Sequence, residues 1–151
     1  MKQGDKISIL LVDDSPADAE LARACLRDGR IANNVMWLRD GQEALDYVLR
    51  NCIPSAARAP TPPDLILLDL NMPKIGGLDL LRHLKTNDAT KSIPIVVMTG
   101  SNEDHDIIES YNLGTNGYIV KPLDFAAFVE AAREAGVEWS AVDRERGVKR
   151  G

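Results

Sequence analysis

Short apolar runs that end in a polar or charged residue constrain this chain more than any other feature. Ile7–Val12 leads into Asp13-Asp14, Leu65–Leu68 into Asp69, Ile93–Met98 into Thr99, and Tyr118–Val120 into Lys121. Val35–Leu38 adds a fifth short run. Runs of this length with no polar alternation fit strands buried on both faces, as in a parallel sheet. An ionised carboxylate placed at the end of such a strand is costly unless it has partners.

The segments between the runs carry helical periodicity. Ser15 suits an N-cap, Pro16 the first turn, and Asp18 follows three residues past the cap, with Leu21, Ala22, Cys25 and Leu26 as the apolar stripe. Asp40 can cap a second helix whose inner face is Ala44, Leu45, Val48 and Leu49. Residues 53–63 hold four prolines and read as a surface loop. Leu78–Lys85 is helical with Leu80, Leu81 and Leu84 inward, Asn102–Tyr111 forms a helix closed by Gly114, and Phe125, Phe128, Val129 and Ala132 mark the last helix. Strand alternating with helix about five times implies an α/β, doubly wound parallel sheet. Such sheets carry their functional groups beyond the carboxyl ends of the strands, near the topological switch point.

That rule gathers residues far apart in sequence. Asp13, Asp14, Asp69, Thr99 and Lys121 all fall on one sheet edge. Three carboxylates in one pocket repel, and a hard divalent cation with oxygen ligands relieves the repulsion, which points to Mg²⁺. Its open positions can take phosphoryl oxygens, and Lys121 adds positive charge against a transferring phosphoryl group. A carboxylate held in line is a nucleophile that yields an acyl phosphate, so Asp69 is the expected phosphoacceptor. Thr99 can then hydrogen-bond the phosphoryl group.

Taken singly, these residues have plainer roles. Asp13-Asp14 or Asp69 can cap a helix or turn, Thr99 can cap a helix, and Lys121 before Pro122 can be a solvated loop lysine. Their joint placement carries the functional reading. A phosphohydrolase of the haloacid dehalogenase type is the alternative, but it wants an acid two residues past the nucleophile, where Asn71 stands. No glycine-rich phosphate loop follows the first strand, against a nucleotide-binding module. A net charge of −5 argues against a nucleic-acid surface. No apolar run approaches a membrane span, and the N-terminus lacks a signal-peptide layout. Cys25 and Cys52 have no metal-type spacing, so a reducing cytoplasm is expected, with Cys25 a small core residue. His83 and His105 read as solvated, Trp37 as packing around the second strand.

The set LLVDD, LILLDLNMPKIGG, VVMTGS and YIVKP resembles the receiver domain of two-component response regulators over residues 6–135. The resemblance implies a flavodoxin-like (βα)5 fold with strand order 2-1-3-4-5. It implies phosphorylation at Asp69, Mg²⁺ held by the Asp14 and Asp69 side chains and the Asn71 carbonyl, and Asp13 acting through a metal-bound water. Thr99 and Lys121 would contact the phosphoryl group, Tyr118 occupies the switch-aromatic position, and Pro73 and Gly77 shape the loop after Asp69. It implies a signalling protein rather than an enzyme, one that supports its own phosphorylation and slow autodephosphorylation. Asn71 and Ser101 flank the site, and an acyl phosphate of moderate lifetime is expected. The Pro-rich loop, SNEDHDIIESYNLGTNGYIVKP and the GVEW tail resemble the single-domain regulators that partner bacterial phytochrome histidine kinases. Residues 136–151 then form a C-terminal extension, too short for a DNA-binding module, so signalling is expected to run through protein contacts. Trp139 either packs back on the domain or marks an interaction surface, and the second reading suggests a homodimer formed near the last helix or the tail.

Overall fold

The computed structural model describes residues 7–28, 32–52, 62–70, 72, 77–99, 115, 117–121 and 125–134. The expectations for Asn71, Pro73, Ser101, His105, Trp139, the helix over 102–111 and the 136–151 extension lie outside these residues.

Five strands, β1 (Ile7–Val12), β2 (Ala32–Leu38), β3 (Leu65–Asp69), β4 (Ile95–Thr99) and β5 (Gly117–Val120), form one sheet in the order β2-β1-β3-β4-β5. Every pairing is parallel. Four helices are described: α1 (Pro16–Asp28), α2 (Gly41–Cys52), α3 (Gly77–Thr86) and α4 (Phe125–Glu134).

Why β1, β3 and β4 carry apolar residues on both faces follows from the two-residue side-chain period. Ile9, Leu11, Leu65, Leu67, Val96, Met98 and Ile119 point to one face, where they pack with Ala19, Ala22 and Leu26 of α1 and Phe128, Val129 and Ala131 of α4. Leu10, Val12, Ile66, Leu68, Ile95 and Val97 point to the other, against Ala44, Val48 and Cys52 of α2 and Leu80, Leu81 and Leu84 of α3. Both faces are covered, so neither tolerates alternating polar residues. β5 differs: Gly117 and Ile119 are buried while Tyr118 and Val120 are exposed. Gly117 lets α4 pack close, since a Cβ there would stand 3.3 Å from the Ala131 carbonyl oxygen and the helix would have to give by a few tenths of an ångström.

Local signals set the helix starts. Asp18 N donates to Ser15 Oγ at 3.2 Å, and Glu43 N donates to Asp40 Oδ1 at 2.9 Å, so both expected caps form. The Glu43 carboxylate in turn accepts from Arg39 N at 3.0 Å.

Several boundaries and faces depart from the sequence reading. β2 begins at Ala32, because backbone pairing with β1 from Ile7 onward needs no apolar side chain. β4 begins at Ile95: Ile93 N donates to Thr90 O in a turn, and Pro94 has no N–H to give. On α1 the buried face is Ala19, Ala22 and Leu26, while Leu21 is 56% exposed and Cys25 only partly buried. Small residues face the sheet there, which turns Leu21 outward. His83 is exposed, as expected. Among the described residues no helix is long and apolar enough to cross a membrane.

Candidate functional site

The registers assemble the site. β1 and β3 pair up to Val12↔Leu68, which sets Asp13 beside Asp69. β3 and β4 pair up to Asp69↔Met98, so Thr99 stands one residue further on. β4 and β5 pair up to Thr99↔Val120, and Lys121 follows. Parallel strands carry all these ends to one edge. The chain leaves β1 for β2 on one side and later lays β3 on the other, so Asp13 and Asp69 flank the switch point.

Asp13 is held on three sides. Its N–H donates to Leu38 O at 3.1 Å, its carbonyl accepts from Trp37 Nε1 at 2.8 Å, and its Oδ1 accepts from Ser15 N at 2.9 Å. The β2 edge and the start of α1 therefore fix where the remaining oxygen, Oδ2, points. Trp37 packs on the core as expected, and it also anchors the site. The Arg39 guanidinium lies 5.7 Å from the centre of its ring.

Oδ2 of Asp13 faces Lys121 Nζ at 3.0 Å. The same ammonium is 2.9 Å from Asp18 Oδ2 and 3.3 Å from Asp69 Oδ2. Burial by itself lowers the affinity of Lys121 for its proton, but the hydrogen bond to Asp18, the close Asp13 carboxylate and the attraction of Asp69 outweigh this and hold it above the ordinary lysine range. Lys121 is thus a fixed cation. Its backbone N–H donates to Thr99 O at 2.7 Å, which ties it to the end of β4.

Three carboxylates contact this ammonium and Asp14 stands near two of them, so among the described residues acids outnumber the one cation of the pocket. Asp13, Asp69 and Thr99 are all buried, whereas Asp14 is exposed. Asp13, Asp14 and Asp69 each present an oxygen within 4.8 Å of the others. Oxygen ligands of one Mg²⁺ at about 2.1 Å lie roughly 3–4 Å apart, so the three need close in only slightly. Asp13 Oδ2 is buried with no well-directed hydrogen bond: its contact with Lys121 is ionic and poorly aligned. An all-oxygen set with one such orphan atom fits a hard divalent cation, and exposed Asp14 opens it to solvent.

Of the residues singled out in sequence, Asp13, Asp14 and Asp69 converge at distances that let them share a cation, and Lys121 pairs with Asp13 and Asp69 beside them. Thr99 ends the neighbouring strand with its side chain buried. Tyr118 lies on β5, three residues before Lys121, and is 39% exposed. Asp18 was legible only as a residue of the helix start, yet it makes the shortest contact to Lys121. The available signal was its place in the first turn of α1, directly above the strand ends.

Residues 9–133 match the response regulator receiver domain family. The response regulator Rcp1 of Synechocystis sp. is 41% identical over 113 residues, 75% of each chain. The solved structure of the bacteriophytochrome response regulator AtBRR is 42% identical, with a TM-score of 0.78 over 89% of this chain and 96% of that one. A Mn²⁺-bound form of response regulator Rcp1 is 36% identical, with a TM-score of 0.66 over 87% and 91% of the two chains. These matches favour a phosphoryl-accepting signalling role over the phosphohydrolase alternative. With its 2-1-3-4-5 parallel sheet, its acidic cluster and the lysine that closes it, the chain belongs to the response regulator receiver family.

Proposed function

We propose that this protein takes a phosphoryl group onto Asp69 from a histidine kinase and signals through the resulting change of state. The observation that carries this is the contact of Asp69 Oδ2 with Lys121 Nζ at 3.3 Å, beside the three-acid cluster. In the transfer an Asp69 carboxylate oxygen forms a bond to phosphorus as the phosphorus–nitrogen bond of the donor phosphohistidine breaks. Lys121 offsets the charge gathering on the phosphoryl oxygens. Asp13, Asp14, Asp69 and Asn71 would hold a Mg²⁺ ion, which would supply further positive charge to those oxygens. Thr99 hydrogen-bonds the acyl phosphate, and Tyr118 responds by moving inward from its exposed position on β5, a population shift between two states. The acyl phosphate is lost slowly by hydrolysis at the same site.

The donor is a phytochrome-type histidine kinase in the cytoplasm, a reading supported by the likeness to AtBRR. Output runs through the receiver unit, residues 6–135, with a homodimer near α4 or the 136–151 extension. Mg²⁺-dependent labelling of the protein by a small acyl phosphate tests the core of this. The Asp69→Asn variant is expected to take no label, and a labelled variant overturns the assignment. Faster transfer from a phytochrome kinase than from an unrelated histidine kinase is the expected result for the partner. A monomeric mass in light scattering, with and without a phosphoryl mimic, would count against the dimer.

A further inference from the structure

The three carboxylates around Lys121 are not equivalent. Asp13 and Asp69 belong to the cluster that fits a cation, whereas Asp18 lies outside it. Asp18 comes from the first turn of α1, not from a strand end, and its side chain is 42% exposed. It nevertheless makes the shortest contact to the ammonium, 2.9 Å, with hydrogen-bond geometry that the 3.0 Å approach of Asp13 Oδ2 lacks. Its own place is set by the helix cap, since Asp18 N is bound by Ser15 Oγ.

From this geometry we infer that Asp18 is a positioning residue: it draws Lys121 toward α1 and keeps the ammonium from closing onto the Asp69 carboxylate. When a dication engages Asp13, Asp14 and Asp69, those acids are shared and their hold on Lys121 weakens. Asp18 then remains as the counter-charge of the lysine and reduces the repulsion between ammonium and dication. Without it, Lys121 has Asp13 and Asp69 as its carboxylate partners among the described residues, and it competes with the metal for their oxygens. The inference rests on the reading of Asp69 as phosphoacceptor.

Two measurements on the full chain test it, for wild type, Asp18→Asn, Asp18→Ala and Asp18→Glu. The first is the Mg²⁺ concentration for half-maximal labelling of Asp69 by a small acyl phosphate. It should rise about three- to tenfold when the charge is lost and return toward wild type in Asp18→Glu. The second is the Lys121 side-chain ammonium resonance in nitrogen-15 NMR without metal. It should be protected from solvent exchange in wild type and shifted and broadened in Asp18→Asn and Asp18→Ala. Wild-type Mg²⁺ dependence together with an unmoved ammonium signal overturns the inference. A lowered melting temperature with both readouts unchanged also overturns it and leaves Asp18 as a helix-start charge. Asp69→Asn separates the two levels: a label on that variant overturns the phosphoacceptor reading itself.

Discussion

Replacing Asp69 by Asn should stabilise the metal-free protein while destroying its function. Asp69 Oδ2 is 3.3 Å from Lys121 Nζ, an attraction of about 5 kcal/mol at an effective dielectric constant near 20. Against this stands repulsion from Asp13, whose oxygen is within 4.8 Å, of about 3.5 kcal/mol on the same scale. Asp14 also lies within 4.8 Å but is exposed, so its repulsion is screened to about 1–2 kcal/mol. Among the described residues the Coulomb contributions therefore nearly cancel, and desolvation decides the sign. Asp69 is only 2% exposed, and a buried carboxylate costs several kcal/mol where a neutral amide costs much less. Lys121 keeps Asp13 and Asp18 in the variant. A net gain of about 1–2 kcal/mol is expected, which raises the melting temperature by about 3–6 °C for a chain of this size. Circular dichroism melts in chelator and in excess Mg²⁺ measure it. Wild type should gain about 2.7 kcal/mol at Mg²⁺ one hundred times its dissociation constant, and the variant far less, so the order of stability narrows or reverses with metal. A variant that melts below wild type in chelator, or that gains as much from Mg²⁺, refutes the reasoning.

The ion cluster also has a pH signature. The folded Lys121 titrates above the unfolded lysine, whose pKa is about 10.4, so its contribution to stability is complete below that value and is lost as pH rises through the folded one. Urea denaturation from pH 9 upward should show a steeper loss in wild type than in Lys121→Met. In the core, Phe128 of α4 is fully buried against the β1, β3, β4 and β5 face, and Phe128→Ala should cost about 3–5 kcal/mol in the same assay. A loss under 1 kcal/mol would show that α4 is held elsewhere.

Much of this architecture was legible without coordinates, for identifiable reasons. Leu65–Leu68 and Val96–Met98 are apolar at every position because helices cover both faces of their strands, and this pattern excludes a half-solvated antiparallel sheet. Caps at Ser15 and Asp40 act within one turn, so sequence proximity sufficed to find them. Ends were less legible where backbone pairing decides: Ala32 enters β2 through its partner Ile7, and Ile93 is withheld from β4 by a turn to Thr90. The rotation of α1 that exposes Leu21 depends on which small side chains meet the sheet, a property of the packed pair and not of either segment.

The same division runs through the site. Sequence determined the identity of the groups, Asp13, Asp14, Asp69, Thr99 and Lys121, because each ends an apolar strand or lies within two residues of its end, and the parallel fold carries such ends to one edge. Tertiary structure alone decided how they share charge. The contact between Lys121 and Asp18 spans 103 residues and depends on how α1 sits over the end of β5. The anchoring of Asp13 by the Trp37 indole depends on the register of β2 against β1. Local pattern encodes which side chains reach the sheet edge; the distances that set a cation site and a lysine's partner exist only once five strands and their helices are packed.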